Sequence, residues 1–226
     1  MHIEPGVVQG AKMALSYATA VAAFGIAAKS AFTSVKENGP IPLVVKSFLT
    51  TALVFIFFQV FPHFPVGISE VHFILGSTLF LMFGVAPAAI GLAGGLLIQG
   101  LLFAPTDLPM YFVNITTLLM PLFAMSLLAK RIIPENVAYQ DIKYSQALKL
   151  SAAYQVGVIS WVGFWAIYGQ GVGAENLAQV SSFGAAYLSV ILVEPLADLA
   201  VLACVKMVCS LKDNPFVEYR LCNAAV

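Results

Sequence analysis

The chain has 226 residues, 60% of them apolar and only 10% charged, with 11 basic and 11 acidic side chains and no net charge. Soluble domains are about 45–50% apolar and about 25% charged, so this composition cannot clothe a water-exposed surface. It excludes a cytosolic enzyme, a nucleic-acid binder and a disordered linker, and points to a polytopic membrane protein whose outer face meets lipid.

The N-terminus reads Met1-His2-Ile3-Glu4-Pro5-Gly6, with no Lys or Arg before Lys12. A secretory signal needs a positive segment followed directly by an apolar one, so Met1 and His2 are expected to stay in the mature chain. Apolar stretches then run over 11–32 and 41–61. The block 71–104 is too long for one span of ~20 residues, and Gly84 and Pro87 predict a break into two short helices. Three more stretches cover 109–129, 146–168 and 180–208. No alternating pattern competes, so a β-barrel is not expected. The fold expected is all-α: one membrane-embedded domain over 1–226 with about seven transmembrane helices. Residues 1–10 form an N-terminal segment, 11–208 the bundle and 209–226 a tail.

Positive charge gives the orientation. Lys29, Lys36 and Lys46 flank the first loop; Lys130, Arg131, Lys143 and Lys149 flank the loop between spans five and six; Lys206, Lys212 and Arg220 follow span seven. The loops 62–70, 105–108 and 169–179 contain no Lys or Arg. The N-terminus is therefore expected outside and the C-terminus in the cytoplasm of a multi-pass plasma (inner) membrane protein, with Lys12 as the one residue against it.

Cys204, Cys209 and Cys222 are an odd number near one end without a C-x-x-C, and read as packing residues or free thiols. Gly169, Gly171 and Gly173 lack the Lys and Ser/Thr of a phosphate-binding loop, so no nucleotide is expected on this chain.

All three histidines, His2, His63 and His72, fall in segments assigned to the outer face. Three imidazoles converging there suggest a metal site. A free α-amine followed by His2 is itself a chelate. The Met1 amine, the His2 backbone nitrogen and the His2 Nδ1 close a five- and a six-membered ring on one ion. One further imidazole, as the fourth nitrogen, completes a square, which suits Ni(II), Cu(II) and low-spin Co(II). The amine and amide must lose protons, which a strongly polarising transition metal enforces and Mg or Ca would not.

These residues resemble the CbiM/NikM family, the cobalt- or nickel-binding membrane components of energy-coupling-factor ABC transporters. The likeness lies in Met1-His2-Ile3 with Gly6 close behind, in the run 64–72 ending at His72, in 87–103 with Gln99-Gly100-Leu101-Leu102-Phe103, in Asn114, and in Val193-Glu194-Pro195-Leu196. It covers nearly the whole chain in order. The resemblance implies that Met1 supplies its amine, His2 its backbone and ring nitrogens and His72 the fourth nitrogen to Co(II) or Ni(II). Asn114 would hold the N-terminal segment, which folds inward from outside and plugs the bundle. It implies a non-enzymatic transport subunit that works with a transmembrane scaffold subunit and separate ATPase subunits in the bilayer, and binds no nucleic acid.

His72 is expected to open a helix at the outer surface, His63 and Glu70 to serve as auxiliary or entry ligands. Glu194 and Asp198, one helical turn apart, must face the interior; they read either as a hydrogen-bonded pair near Pro195 or as a coupling element. The small residues Ala14, Ala18 and Ala22 permit close helix approach, within the bundle or to the scaffold. A retinal protein does not fit, because Lys206 lies at the cytoplasmic end and span three lacks the carboxylates. A haem protein does not fit, because all histidines sit at one face. A metal-free structural subunit of a larger membrane assembly remains the alternative.

Overall fold

The structure, a computed structural model, describes residues 2–134 and 137–210, with side chains described to position 207. Among the described residues there are seven α-helices: α1 (Met13–Asn38), α2 (Pro40–Phe55), α3 (Gly76–Phe83), α4 (Val85–Leu102), α5 (Tyr111–Ile132), α6 (Tyr144–Gln170) and α7 (Ala174–Ser210). All but α3 are long and apolar enough, with their flanking turns, to cross a membrane. The tail beyond 210, with Lys212, Arg220 and Cys222, lies outside the described residues; Cys204 is an exposed free thiol.

Local chemistry sets the boundaries. Gly39 (φ 82°) ends α1, and Pro40 opens α2, where its missing N–H costs nothing. Helix α2 runs on into a single wide turn, Ile56–Val60. The long apolar block divides at Gly84 (φ 89°), as its sequence predicts. Pro87 falls in the first turn of α4, a position that has no intrahelical acceptor for an N–H. At the start of α6 the Gln146 side chain turns back to accept the Lys143 N–H at 2.9 Å.

Helices α2 and α4 run parallel. Thr50 donates to the Pro87 carbonyl (2.7 Å), and eight residues later, in the wide turn that continues α2, the Phe58 carbonyl accepts from Gln99 (3.2 Å), twelve later in α4. Residues 61–84 must therefore carry the chain back across the bundle. They do so only partly as helix: α3 has eight residues, about 12 Å of rise against a hydrocarbon core of about 30 Å. The rest is a small antiparallel hairpin, β1 (Phe64–Val66) and β2 (Ser69–Val71), and the non-helical stretch His72–Leu75. The seven crossings of the sequence reading are thus six long helices and one half-length helix with an irregular lead-in.

Irregular backbone inside a bundle survives only where its polar groups find partners. Here α7 supplies them. The Ile74 N–H donates to the Glu194 carboxylate, and the Ser77 and Thr78 hydroxyls donate to Asp198. Gln155 of α6 also donates to Glu194, and Tyr187 donates to Gln155 at 2.6 Å. Leu75 takes a left-handed conformation (φ 51°) immediately before α3. Lys12, the exception in the charge pattern, donates to the Gly169 carbonyl in the last turn of α6 at 2.8 Å, where a cation meets the negative helix end.

Helices α4 and α5 form the buried centre, while α1 and α2 present Val21, Phe32, Ile41 and Phe48 outward. Backbone approach between α2 and α4 depends on Gly91. A Cβ there would lie 2.4 Å from Thr50 Oγ1 and 2.8 Å from the Thr50 backbone, and that hydroxyl is already tied to Pro87. Gly91→Ala should destabilise the protein by about 1–3 kcal/mol through overpacking, lowering its melting temperature in detergent. Gly184→Ala, with nothing within 4 Å of the added carbon, should not.

Candidate metal centre

The N-terminal strap joins the hairpin as a short third strand. Glu70 N–H donates to the His2 carbonyl (2.9 Å), Glu4 N–H donates to the Ile68 carbonyl (3.0 Å), and Ile3 lies opposite Ser69 in an antiparallel bridge. Ser69 Oγ adds a second bond to the His2 carbonyl at 2.9 Å. From the other side Ile3 N–H donates to Asn114 Oδ1 at 2.8 Å. Ile3, Val7 and Val8 are buried in the main core, so the strap is packed into the mouth of the bundle as well as hydrogen-bonded to it. The hairpin is pressed down in turn. Gly67 (φ 62°) turns the chain where any Cβ would sit 2.3 Å from the Gln179 carbonyl of α7.

This pairing brings three ligand-bearing side chains together. Donor atoms of His2, Glu70 and His72 all lie within 4.8 Å of one another. Donors on one metal at ~2.0–2.1 Å are about 3 Å apart when adjacent and about 4 Å when opposite, so a closure of under about 1 Å seats an ion. His2 Nδ1 is 2.9 Å from Glu70 Oε2 and His72 Nε2 is 3.4 Å from the same oxygen. The His2 and His72 rings meet edge to face with centroids 5.1 Å apart, and Phe58 packs edge-on against both. His63 stacks flat on His72, 4.9 Å away and inclined by 6°. It is fixed by Nδ1 donating to the Phe61 carbonyl at 3.1 Å.

His2 and His72 are 3% and 1% exposed. Burial pushes the His72 imidazole well below its ordinary pKa, and the adjacent His2 and His63 push the same way. Burial also lowers His2, against the opposing pull of Glu70. Burial raises the Glu70 carboxyl, but its hydrogen bond and charge interaction with His2 prevail and the net direction is down. Burial thus favours the neutral form of both imidazoles, the form in which they bind metals. Among the described residues, His2 Nε2 and both ring nitrogens of His72 are buried without a hydrogen-bond partner. Buried polar atoms are seldom left so.

Met1 lies outside the described residues. His2, His72 and Glu70 converge, His63 flanks them, and Asn114 holds the strap. His72 differs from its expected position. It lies four residues before α3, within the protein rather than at its surface, because the segment leading into α3 is drawn inward by Glu194. Glu194 and Asp198 stand apart from the histidines as the anchors of that segment. Sequence reasoning missed Ser69 and Phe58, which carry no metal-ligand signature, and the hairpin, whose three-residue strands are too short to show periodicity. Asn114→Ala would leave the fully buried Ile3 N–H unpaired, at a cost of about 1–3 kcal/mol. The outcome expected is faster amide exchange across residues 2–8 by hydrogen-exchange mass spectrometry, with exchange in α5 and α6 unchanged.

No curated protein matches the sequence. Two solved structures share the fold. One, described as a truncated transition metal transporter, is 17% identical, with 95% of this chain and 100% of that one covered at a TM-score of 0.68. The other, described as a transition metal transporter, is 18% identical, with 95% of each chain covered at 0.63. The family profile described as the cobalt uptake substrate-specific transmembrane region, CbiM, matches residues 2–210. The chain belongs to that family of multi-pass membrane proteins.

Proposed function

We propose that this chain is the ion-capturing subunit of a transition-metal uptake transporter and takes Co(II) or Ni(II) as its substrate. The observation that carries the reading is the convergence of buried His2 and His72 beside Glu70, with both His72 ring nitrogens lacking a hydrogen-bond partner and His2 Nδ1 facing the Glu70 carboxylate. The strap that carries His2 is bonded to the hairpin that leads into His72 by the Glu70–His2, Glu4–Ile68 and Ser69–His2 hydrogen bonds, and to Asn114 through Ile3 N–H. An all-nitrogen square formed by the Met1 amine, the His2 amide nitrogen, His2 Nδ1 and His72 accounts for the chemistry best. It also selects against hard cations, which prefer oxygen cages.

In this reading Glu70 accepts from His2 Nδ1 only until the ion arrives, and then balances its charge nearby. His63, on the outer side of His72, is the first imidazole an entering ion meets. Asn114 holds the strap in register. The loops carrying Lys29, Lys36, Lys130, Arg131 and Lys143 join the helix ends remote from the histidines, and the positive-inside rule supports an outward-facing metal site. Inward release is assigned to reorientation driven by a scaffold subunit and separate ATPase subunits of the energy-coupling-factor type. Glu194 and Asp198 couple His72 to α7, because both hold the short segment and half-helix that follow His72.

Full-length protein with a C-terminal tag, purified in detergent from cells supplied with cobalt and nickel, should carry about one such ion per chain by mass spectrometry. His72→Ala should lose it, and so should a one-residue N-terminal extension that moves the amine out of the chelate ring. Metal retained in both variants would exclude the chelate. Metal absent from the wild type would favour the structural-subunit alternative.

A further inference from the structure

Beside His2 is a cavity of about 10 Å³ lined by His2, Leu96, Gly100, Asp107, Leu108, Tyr111 and Asn114. That is near the lower limit for one water molecule. Two buried atoms without partners belong to its lining residues, His2 Nε2 and Asn114 Nδ2. The amide orientation of Asn114 is fixed, since its Oδ1 accepts from Ile3 N–H. Nδ2 is therefore a donor, and it needs an acceptor. Asp107, at the foot of α5, is a carboxylate on the same cavity and interacts electrostatically with His2.

The tautomer of His2 then follows from the metal-capture reading, on which this inference rests. When Nδ1 gives its lone pair to the ion, the neutral ring must carry its proton on Nε2. Nε2–H becomes a donor with no acceptor in its present surroundings. A single water meets every requirement: it accepts from His2 Nε2–H and from Asn114 Nδ2–H, and donates to the Asp107 carboxylate. Ligand imidazoles are ordinarily oriented in this way, by an acceptor on the ring nitrogen remote from the metal, and that acceptor also raises ligand basicity.

We propose that Asp107 is the positioning residue of the metal centre, acting through one buried water on His2 Nε2–H. It acts on the His2 ring through the water and is not itself a ligand to the ion. Its contribution appears when metal binds, when Glu70 gives up Nδ1 and the far side of the ring must hold the imidazole in place.

The test uses full-length, C-terminally tagged protein in detergent, stripped of metal and titrated with Ni(II). Asp107→Ala should weaken Ni(II) binding about 10- to 100-fold. Asp107→Asn, which keeps an acceptor oxygen in place, should fall between it and the wild type. Melting of the metal-free protein should be unchanged; if the Ala variant melts early, the Asn variant carries the comparison. Square-planar Ni(II) is diamagnetic, so ¹⁵N-histidine labelling adds a readout that a packing defect would not move. The His2 Nε2–H proton should exchange slowly with water in the wild type and quickly in Asp107→Ala. Equal affinity and equal exchange in wild type and Asp107→Ala would overturn the positioning role while leaving metal capture standing. A wild type that binds no Ni(II), Co(II) or Cu(II) would overturn both.

Discussion

The structure depends on one pairing, the N-terminal strap against the β1–β2 hairpin. Two backbone hydrogen bonds, one from Ser69 and one to Asn114, hold residues 2–4 in register. Without them His2 would sit on a terminal segment free to fray. With them it meets His72 across a buried contact with Phe58 behind both rings. Each such bond contributes only about 1 kcal/mol net. The strap is held because burial of Ile3, Val7 and Val8 adds to the bonds.

The same site explains the irregularity at the bundle's centre. A continuous helix over 61–84 would satisfy its own backbone, yet the chain adopts a hairpin, four residues of irregular backbone and a half-length helix. That arrangement needs Glu194, Asp198 and Gln155 to supply partners deep in the protein. Intramembrane carboxylates are costly and are retained where they have work to do. Here they hold the backbone that delivers His72 inward to His2. Any movement of α7 must be felt by Ile74, two residues from His72.

Much of this was legible in the sequence. Six long apolar stretches and the break at Gly84 follow from span length and from the backbone demands of Gly, and the helices appear within a few residues of those positions. The histidines stood out because a polar side chain is rare in such a composition. The pairing itself was not legible. Strands of three residues carry no alternation, and Pro65 within β1 argues against a strand until its edge position is known. The depth of His72 was hidden for the same reason: what draws it inward is Glu194, 122 positions further along the chain. Glu70 and Asp107 are ordinary loop acids in the sequence and gain meaning only from what faces them.

The central claim is that the strap and the irregular segment supply imidazole nitrogens to one transition-metal ion. X-ray absorption at the nickel or cobalt edge of the metal-loaded, full-length protein tests it most directly. The account predicts a first shell of about four nitrogen donors near 1.9–2.1 Å, with the outer-shell scattering of two imidazole rings, and no metal edge from His72→Ala prepared in the same way. A shell of oxygen or sulfur donors, or a spectrum indifferent to His72, would contradict it.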